Sequence, residues 1–590
     1  MAFQISVSIG YRDIFDDYET VDINELLKDI PTKNSLQIIG YFLAQLHTIE
    51  RDTTKQIEFL GVWLGRLPTT VHQRINDFIT KISANPNTDY NFLNNVSGLI
   101  LVEKLIENIN ESPLVSDLTP AQELNLFKAY LYCSQVWIDK QLPGFKIPEV
   151  KSEEDLIRIL LPTQLPFQEV LEFKDFRLQF IKAIYFFKFC ERDTQFQVYL
   201  DLFLKEYNLD SWHKYLMNLI SLYVRKFERL KTPSAINVPD EFPDVINFLE
   251  DLSIDPKTFK KSNDFLSLRE KPVYRISKND FVFLNLNFLV DKLYQGIQFD
   301  FARVLVKHSA TFKGKAIKNN VDFMSIFGKE FSETGLFHSV MNYAFEKSGY
   351  VKFSGERIKA IIPDGEPDYY MRDKAKVYLF EFKNIFLGAG IKHSNDYDQI
   401  EAEIFKKLVT NQNNSAKGVT QLVNVIEKIR TREFEKFDEY NFDETIIYPV
   451  IVYVDFSFNL GGTNFILNKE FRRQLSEKAI KDTHKIKNLT LIDLDSFIKF
   501  QDLYRNKTLK LNNCLNEYFE YVRNPKDIFN RISTFNMFIH NKTDKLKYDS
   551  PKMLMDEVTK MLPSDEKELI ALDKMSSECK PGQQLTAHLR

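Results

Sequence analysis

Glycine and proline are scarce in this chain, 19 and 21 among 590 residues, which excludes collagen-like and linker-rich architectures and points to long helices joined by short loops. Cysteine is scarcer still. Cys133, Cys190, Cys514 and Cys579 stand far apart with no C-x-x-C spacing, which excludes a zinc ribbon and a disulfide framework and suits a reducing cytoplasm. No stretch approaches the ~18 unbroken apolar residues of a membrane span, so no membrane partner is expected. The nearest, from Phe180 to Cys190, is interrupted by Lys182 and Lys188. Residues 1–10 have neither the basic start nor the apolar length of a signal peptide and read as a strand. Charge of one sign is also missing. The formal net charge is −4, so any nucleic-acid surface has to be a local concentration of Lys and Arg. The nine histidines form no H-x-H or H-E-x-x-H group, no G-x-S-x-G elbow is present, and Gly388-Ala389-Gly390-Ile391-Lys392 lacks the Gly-Lys-Ser/Thr ending of a P-loop. A zincin, an elbow-type serine hydrolase and a P-loop ATPase are thereby excluded.

What the chain has in excess is phenylalanine, 51 residues in a composition that is 44% hydrophobic and 14% aromatic. That supports sizeable cores, and the length implies about two to four domains. Apolar residues recur at three- and four-residue intervals in 36–47, 56–64, 71–82, 99–109, 121–137, 173–191, 194–207 and 212–227, with turns at Asn85-Pro86-Asn87 and Leu142-Pro143-Gly144. Residues 1–230 are therefore predicted to be an all-helical domain whose apolar stripes are core packing. A Pro-rich linker follows, then a hairpin at 272–285 turning at Lys278-Asn279-Asp280 and a helix at 287–299, so that 231–320 forms a bridge. The core is predicted over 321–505, and 506–590 is a helical extension whose tail frays from Lys580.

Chemistry concentrates in 365–384. Residues 377–383 are rich in aromatic and β-branched side chains and follow turn chemistry at Asp373-Lys374, which predicts a buried strand. Alternation puts Glu381 and Lys383 on the face of Val377 and Leu379, with Phe380 and Phe382 on the other. Packing gives no reason for a carboxylate and an ammonium there, because burying either costs several kcal/mol unless it is paired or bound to a metal. Asp368 and Glu381 together suit Mg²⁺ or Mn²⁺, hard cations that take oxygen ligands, with the Phe382 carbonyl as a further donor. Beside such a metal Lys383 orients a nucleophilic water or stabilises charge on a phosphate. A second Pro-Asp pair, Pro363-Asp364, competes for the role of Asp368; Asp364-Gly365 reads as a turn after a strand over 350–362, and Asp368 as the start of the next strand.

Pro367-Asp368, a spacer, then Glu381-Phe382-Lys383 resembles the motif of the PD-(D/E)xK nuclease superfamily, the restriction-endonuclease-like fold. The resemblance extends to the order of predicted elements over about 325–500. An acid-bearing helix at 327–345 comes first, then three strands, helices at 397–410 and 418–429, and strands at 445–456 and 489–494. It implies an α+β fold, an αβββαβ core with a mixed sheet flanked by helices, attached to the N-terminal helical domain. In front of a nuclease that helical array would bind a protein partner or clamp DNA. It also implies a Mg²⁺- or Mn²⁺-dependent endonuclease acting most often on DNA, in a setting such as prokaryotic restriction or anti-phage defence. Glu330 or Glu333 would assist the metal, with Glu330 preferred, and Gln421 would position water or phosphate. Lys392, Lys417 and Arg357 are the predicted phosphate contacts. The alternatives are a catalytically idle core serving as a nucleic-acid or protein interaction module, or a nuclease subunit of a transposition or repair complex. Cutting both strands of a duplex commonly engages two copies of such a core, so a homo-oligomer is left open.

Overall fold

The computed structural model describes residues 5–49, 53–83, 88–141, 150–171, 174–228, 235–240, 242–362, 365–524, 527–544, 546, 556, 557 and 559. The architecture is α+β, a mixed five-stranded sheet set among many helices. The sheet strands are β1 (Val351–Ser354), β2 (Tyr369–Asp373), β3 (Lys376–Lys383), β4 (Ile446–Tyr453) and β5 (Thr490–Asp493). They lie in sequence order, with β1, β2 and β3 antiparallel and β3, β4 and β5 parallel. Lys374 takes the tight β2–β3 turn with φ +53°, a conformation uncommon outside glycine and the small polar residues.

Helices cover both faces of the sheet. Tyr378, Phe380 and Phe382 join a core built with α1 (His338–Ala344) and α5 (Leu494–Arg505). Val377, Leu379 and Ile451 pack on the other side against α3 (Tyr397–Leu408) and α4 (Gly418–Arg430). Both outcomes follow from two-residue alternation along β3. Caps fix the helix starts. Asp493 accepts the Ser496 N–H at the start of α5, and Asp396 accepts from Asp398 and Gln399 at the start of α3.

Three expectations need correction. The strand read over 350–362 ends at Ser354 and gives way to α2 (Gly355–Lys359). There Glu-Arg-Ile-Lys favours a helix and Ile358 supplies its buried anchor. The N-terminal region is not purely helical, because Ile5–Ser8 pairs in parallel with Thr88–Asn91. The expected boundary near residue 230 does not divide the apolar cores. Phe180, Phe186, Phe187 and Trp212 share a core with Tyr378, Phe380 and Val450 of the sheet, while Leu156, Ile157 and Leu161 pack with α3 and α4. Conversely, Phe265, Tyr274, Val282 and Phe288 belong to the N-terminal core of Leu99, Phe127 and Trp137.

The hairpin is found as Val273–Arg275 and Asp280–Phe283, with Ala235–Asn237 added at its edge. The helix after it is two, Leu286–Asp291 and Gln295–Lys307. Among the described residues no helix is long and apolar enough to cross a membrane. The turns at 85–87 and 142–144, Asp364 and the tail from Lys580 lie outside the described residues.

Candidate active site

The site forms where β2 and β3 part. Their last rung is Tyr369–Phe380, while β3 continues beside β4 as far as Lys383–Tyr453. Past that rung Asp368 takes the place of a neighbouring strand, its Oδ2 accepting the Phe382 N–H at 2.6 Å. In a strand the N–H and C=O of one residue face the same neighbour. The Phe382 carbonyl therefore faces this gap as well. Lys383 Nζ reaches both carboxylates, Glu381 Oε2 at 2.8 Å and Asp368 Oδ2 at 3.6 Å.

Burial decides the electrostatics. The Glu381 side chain has 0% exposure, and its Oε1 has no hydrogen-bond partner among the described residues. Burial first, and then the negative Asp368, push its pKa up to about 8, against the pull of Lys383. Glu333 is also pushed up, to about 7, by burial and by Asp368. Lys383 behaves in the opposite sense. Burial alone would lower its affinity for the proton, but Glu381 and Asp368 outweigh that and hold it above the ordinary lysine value. Asp368 and Glu381 thus share one deeply placed ammonium, with Glu333 near enough for the three charges to act on one another.

Glu330 and Glu333 do not share a face as expected. The segment Phe327–Phe337 is a π-helix, whose wider turn rotates residues three apart away from one another. Glu330 turns out to an ion pair with Lys313 at 3.0 Å, and Glu333 turns in. The preference for Glu330 is therefore reversed. Behind the segment Asn384 Nδ2 donates to Ser332 Oγ at 3.1 Å, tying it to the end of β3.

Gln421 stands on α4, over the sheet face that carries Glu381. A Cβ on Gly418 would lie 3.0 Å from Ile451 Cδ1, and Ile451 is the β4 partner of Glu381. Only a helix start without a side chain approaches the strand so closely. One turn on, the Gln421 Oε1 is buried without a partner among the described residues, as the Glu381 Oε1 is.

The predicted phosphate contacts divide. Arg357 is exposed on α2, its guanidinium 4.7 Å from the Phe353 ring centroid. Lys417 is half-buried just before α4 and makes no ion pair among the described residues. Lys392 is corrected. Its side chain is 7% exposed and its Nζ pairs with Glu169 Oε1 at 2.8 Å, so it welds the loop after β3 to the N-terminal half instead of facing solvent. Its neighbour His393 likewise meets Asp264 Oδ1 at 2.5 Å.

Two contributors were missed from sequence. Gly355 donates its N–H to the Asp368 carbonyl at 2.9 Å, and a Cβ there would lie 2.6 Å from the Pro367 carbonyl oxygen. His338 lies 3.0 Å from the same Asp368 oxygen through Nε2, and burial lowers its affinity for a second proton. Neither carried a local signal, since both act on a segment far along the chain.

No family model, curated protein or solved structure matches this chain. Among the described residues no three His, Cys, Asp or Glu side chains are gathered closely enough to hold a metal by themselves. Mg²⁺, however, keeps several waters and is commonly bound by one or two carboxylates. Asp368, Glu381 with its orphaned Oε1, and the Phe382 carbonyl fit that smaller demand.

Proposed function

We propose that the chain is a Mg²⁺- or Mn²⁺-dependent nuclease of PD-(D/E)xK type with DNA as its substrate. One observation carries the reading. Glu381 is fully buried with one oxygen unpartnered among the described residues, beside Asp368 and Lys383, at the point where two strands separate. A buried carboxylate that is only half paired is costly to the fold, and a cation supplied with substrate removes that cost. The mixed sheet with helices on both faces and the acid-bearing segment before β1 also support it.

In this mechanism Asp368 and Glu381 bind the divalent ion, with the Phe382 carbonyl as a further ligand and Glu333 assisting. The ion supplies Lewis acidity and a more acidic bound water. Lys383 holds the attacking water by donating to it, and its charge opposes that developing on the phosphate. The Gln421 amide, on α4 over the sheet face of Glu381, would orient the same water or a phosphate oxygen. Arg357 and Lys417 contact the backbone on either side, which makes affinity fall with salt.

The test is cleavage of plasmid, linear duplex and single-stranded DNA with Mg²⁺ or Mn²⁺, comparing the wild-type chain with Asp368→Ala and Lys383→Ala. The reading expects metal-dependent cutting that drops by about 10²-fold or more in each variant. Cutting that survives both substitutions would falsify the site. No cutting by the wild type on any substrate would favour the interaction-module alternative.

A further inference from the structure

Building on the nuclease reading, we infer that His338 and Asn342 on α1 are positioning residues that hold the Asp368 carboxylate in place by gripping the backbone and side chain of residues 368 and 369. Residue 368 needs such a grip because no strand supplies one. The rungs on both sides of β2 begin at Tyr369, opposite Ser354 and Phe380. Asp368 lies one residue before that ladder, yet its carboxylate has to stay 2.6 Å from the Phe382 N–H to face the gap in β3.

The grip has three parts. A carbonyl can only accept, so His338 Nε2–H donates to the Asp368 oxygen across 3.0 Å. The Gly355 N–H donates to the same oxygen across 2.9 Å, which fills both lone pairs. Asn342 Oδ1 accepts the Tyr369 hydroxyl at 2.7 Å. His338 and Asn342 are four apart on α1 and so share one face, one turn above the other. Two successive residues are thereby fixed by one rigid element. The His338 ring is itself held between Phe337 and Tyr369, each with its centroid 5.6 Å away. The preceding π-helical segment ends at Phe337 and sets the phase in which α1 presents this face.

Removing the clamp leaves every metal-binding group present but misplaces one of them. Groups that orient metal ligands in this way usually contribute about 10- to 100-fold in metal affinity. The experiment is Mn²⁺ titration by calorimetry, with hydrogen exchange of the Phe382 amide measured in parallel on the metal-free protein. The variants are His338→Phe, His338→Gln and Asn342→Ala, each compared with Asp368→Ala. The clamp predicts Mn²⁺ binding weaker by about tenfold or more in His338→Phe and Asn342→Ala, and recovery to within about threefold in His338→Gln, which keeps an N–H donor. Phe382 exchange is expected to speed up in the first two and stay near wild type in the third.

Wild-type affinity and wild-type Phe382 protection in folded His338→Phe would overturn the clamp. Should His338→Phe fail to fold, Asn342→Ala decides by the same two readouts. A wild-type protein that binds no Mn²⁺ sinks the nuclease reading, and Phe382 exchange then judges the clamp by itself.

Discussion

At the scale of single residues, Glu381 ties stability to pH. Its pKa rises from an ordinary 4.5 to about 8 in the fold, so between those values the folded chain binds a proton that the unfolded chain does not. Stability from this residue is complete below the lower value and is lost as pH climbs toward the upper one. Glu333 adds the same sign up to about 7, and Asp455 and Asp493, each held up to about 6, add it lower down. His338 and His540, whose affinity for a proton burial lowers, pull the other way below about pH 6.5, so metal-free protein should melt at a steadily lower temperature from about pH 6.5 to pH 8, with a shallower slope in Glu381→Gln and recovery at pH 8 when Mn²⁺ is added. A flat profile contradicts the burial of an unsatisfied carboxylate. Gly355 gives a second prediction. Gly355→Ala would drive a methyl group against the Pro367 carbonyl, 2.6 Å from the ideal Cβ, and overpacking of this kind costs about 1–3 kcal/mol. Chemical denaturation reads that loss, and a neutral effect would mean that the 355–368 contact is loose. Glu381 and Lys383 stood out in the sequence because charges in an apolar strand are conspicuous, and Asp368 through the Pro-Asp pair ahead of that strand. Gly355 and His338 were unreadable because each meets Asp368 only through the fold, from 13 and 30 residues away.

At the scale of elements, β3 was legible and the segment before β1 was not. Alternation along 377–383 assigned both faces of β3 correctly, since a strand has one period and both faces are buried. Residues 327–345 carry helical spacing, but spacing cannot distinguish an α turn from a π turn, and that difference decides which glutamate points inward. The strand expected over 350–362 failed for a similar reason, because a five-residue helix with only Gly355 and Ile358 buried is too short for its period to declare itself. Lys392 illustrates the limit for charges. It reads as a loop lysine, yet it forms a buried pair with Glu169, which also binds Arg269. Removing one member of a buried pair typically costs about 3–5 kcal/mol, so Lys392→Ala should strongly destabilise the fold while leaving the salt dependence of DNA binding unchanged. Unfolding curves and a binding titration over a range of salt check both halves; lost affinity with intact stability would restore Lys392 as a phosphate contact.

At the scale of the molecule, composition foretold large aromatic cores but not how they are shared. Phe186 packs near Phe301, Phe327 and Phe331, so the helix Phe176–Arg192 supports the π-helical segment that carries Glu333. The N-terminal half therefore helps to build the site it precedes. A fragment starting at residue 231 strips Phe180, Phe186 and Phe187 from their core and should not unfold cooperatively, whereas one starting at 150 keeps them. Calorimetry of the two fragments distinguishes these outcomes, and a cooperative transition in the shorter one would re-establish the boundary near 230.

The central claim is that Asp368, Glu381 and the Phe382 carbonyl hold a divalent cation. Crystals of the full chain soaked in Mn²⁺ and measured at the manganese absorption edge test it directly. The account predicts one anomalous peak bonded to both carboxylates and to that carbonyl, with Lys383 beside it and no peak in Asp368→Ala. A peak elsewhere, or none at millimolar Mn²⁺, would contradict it.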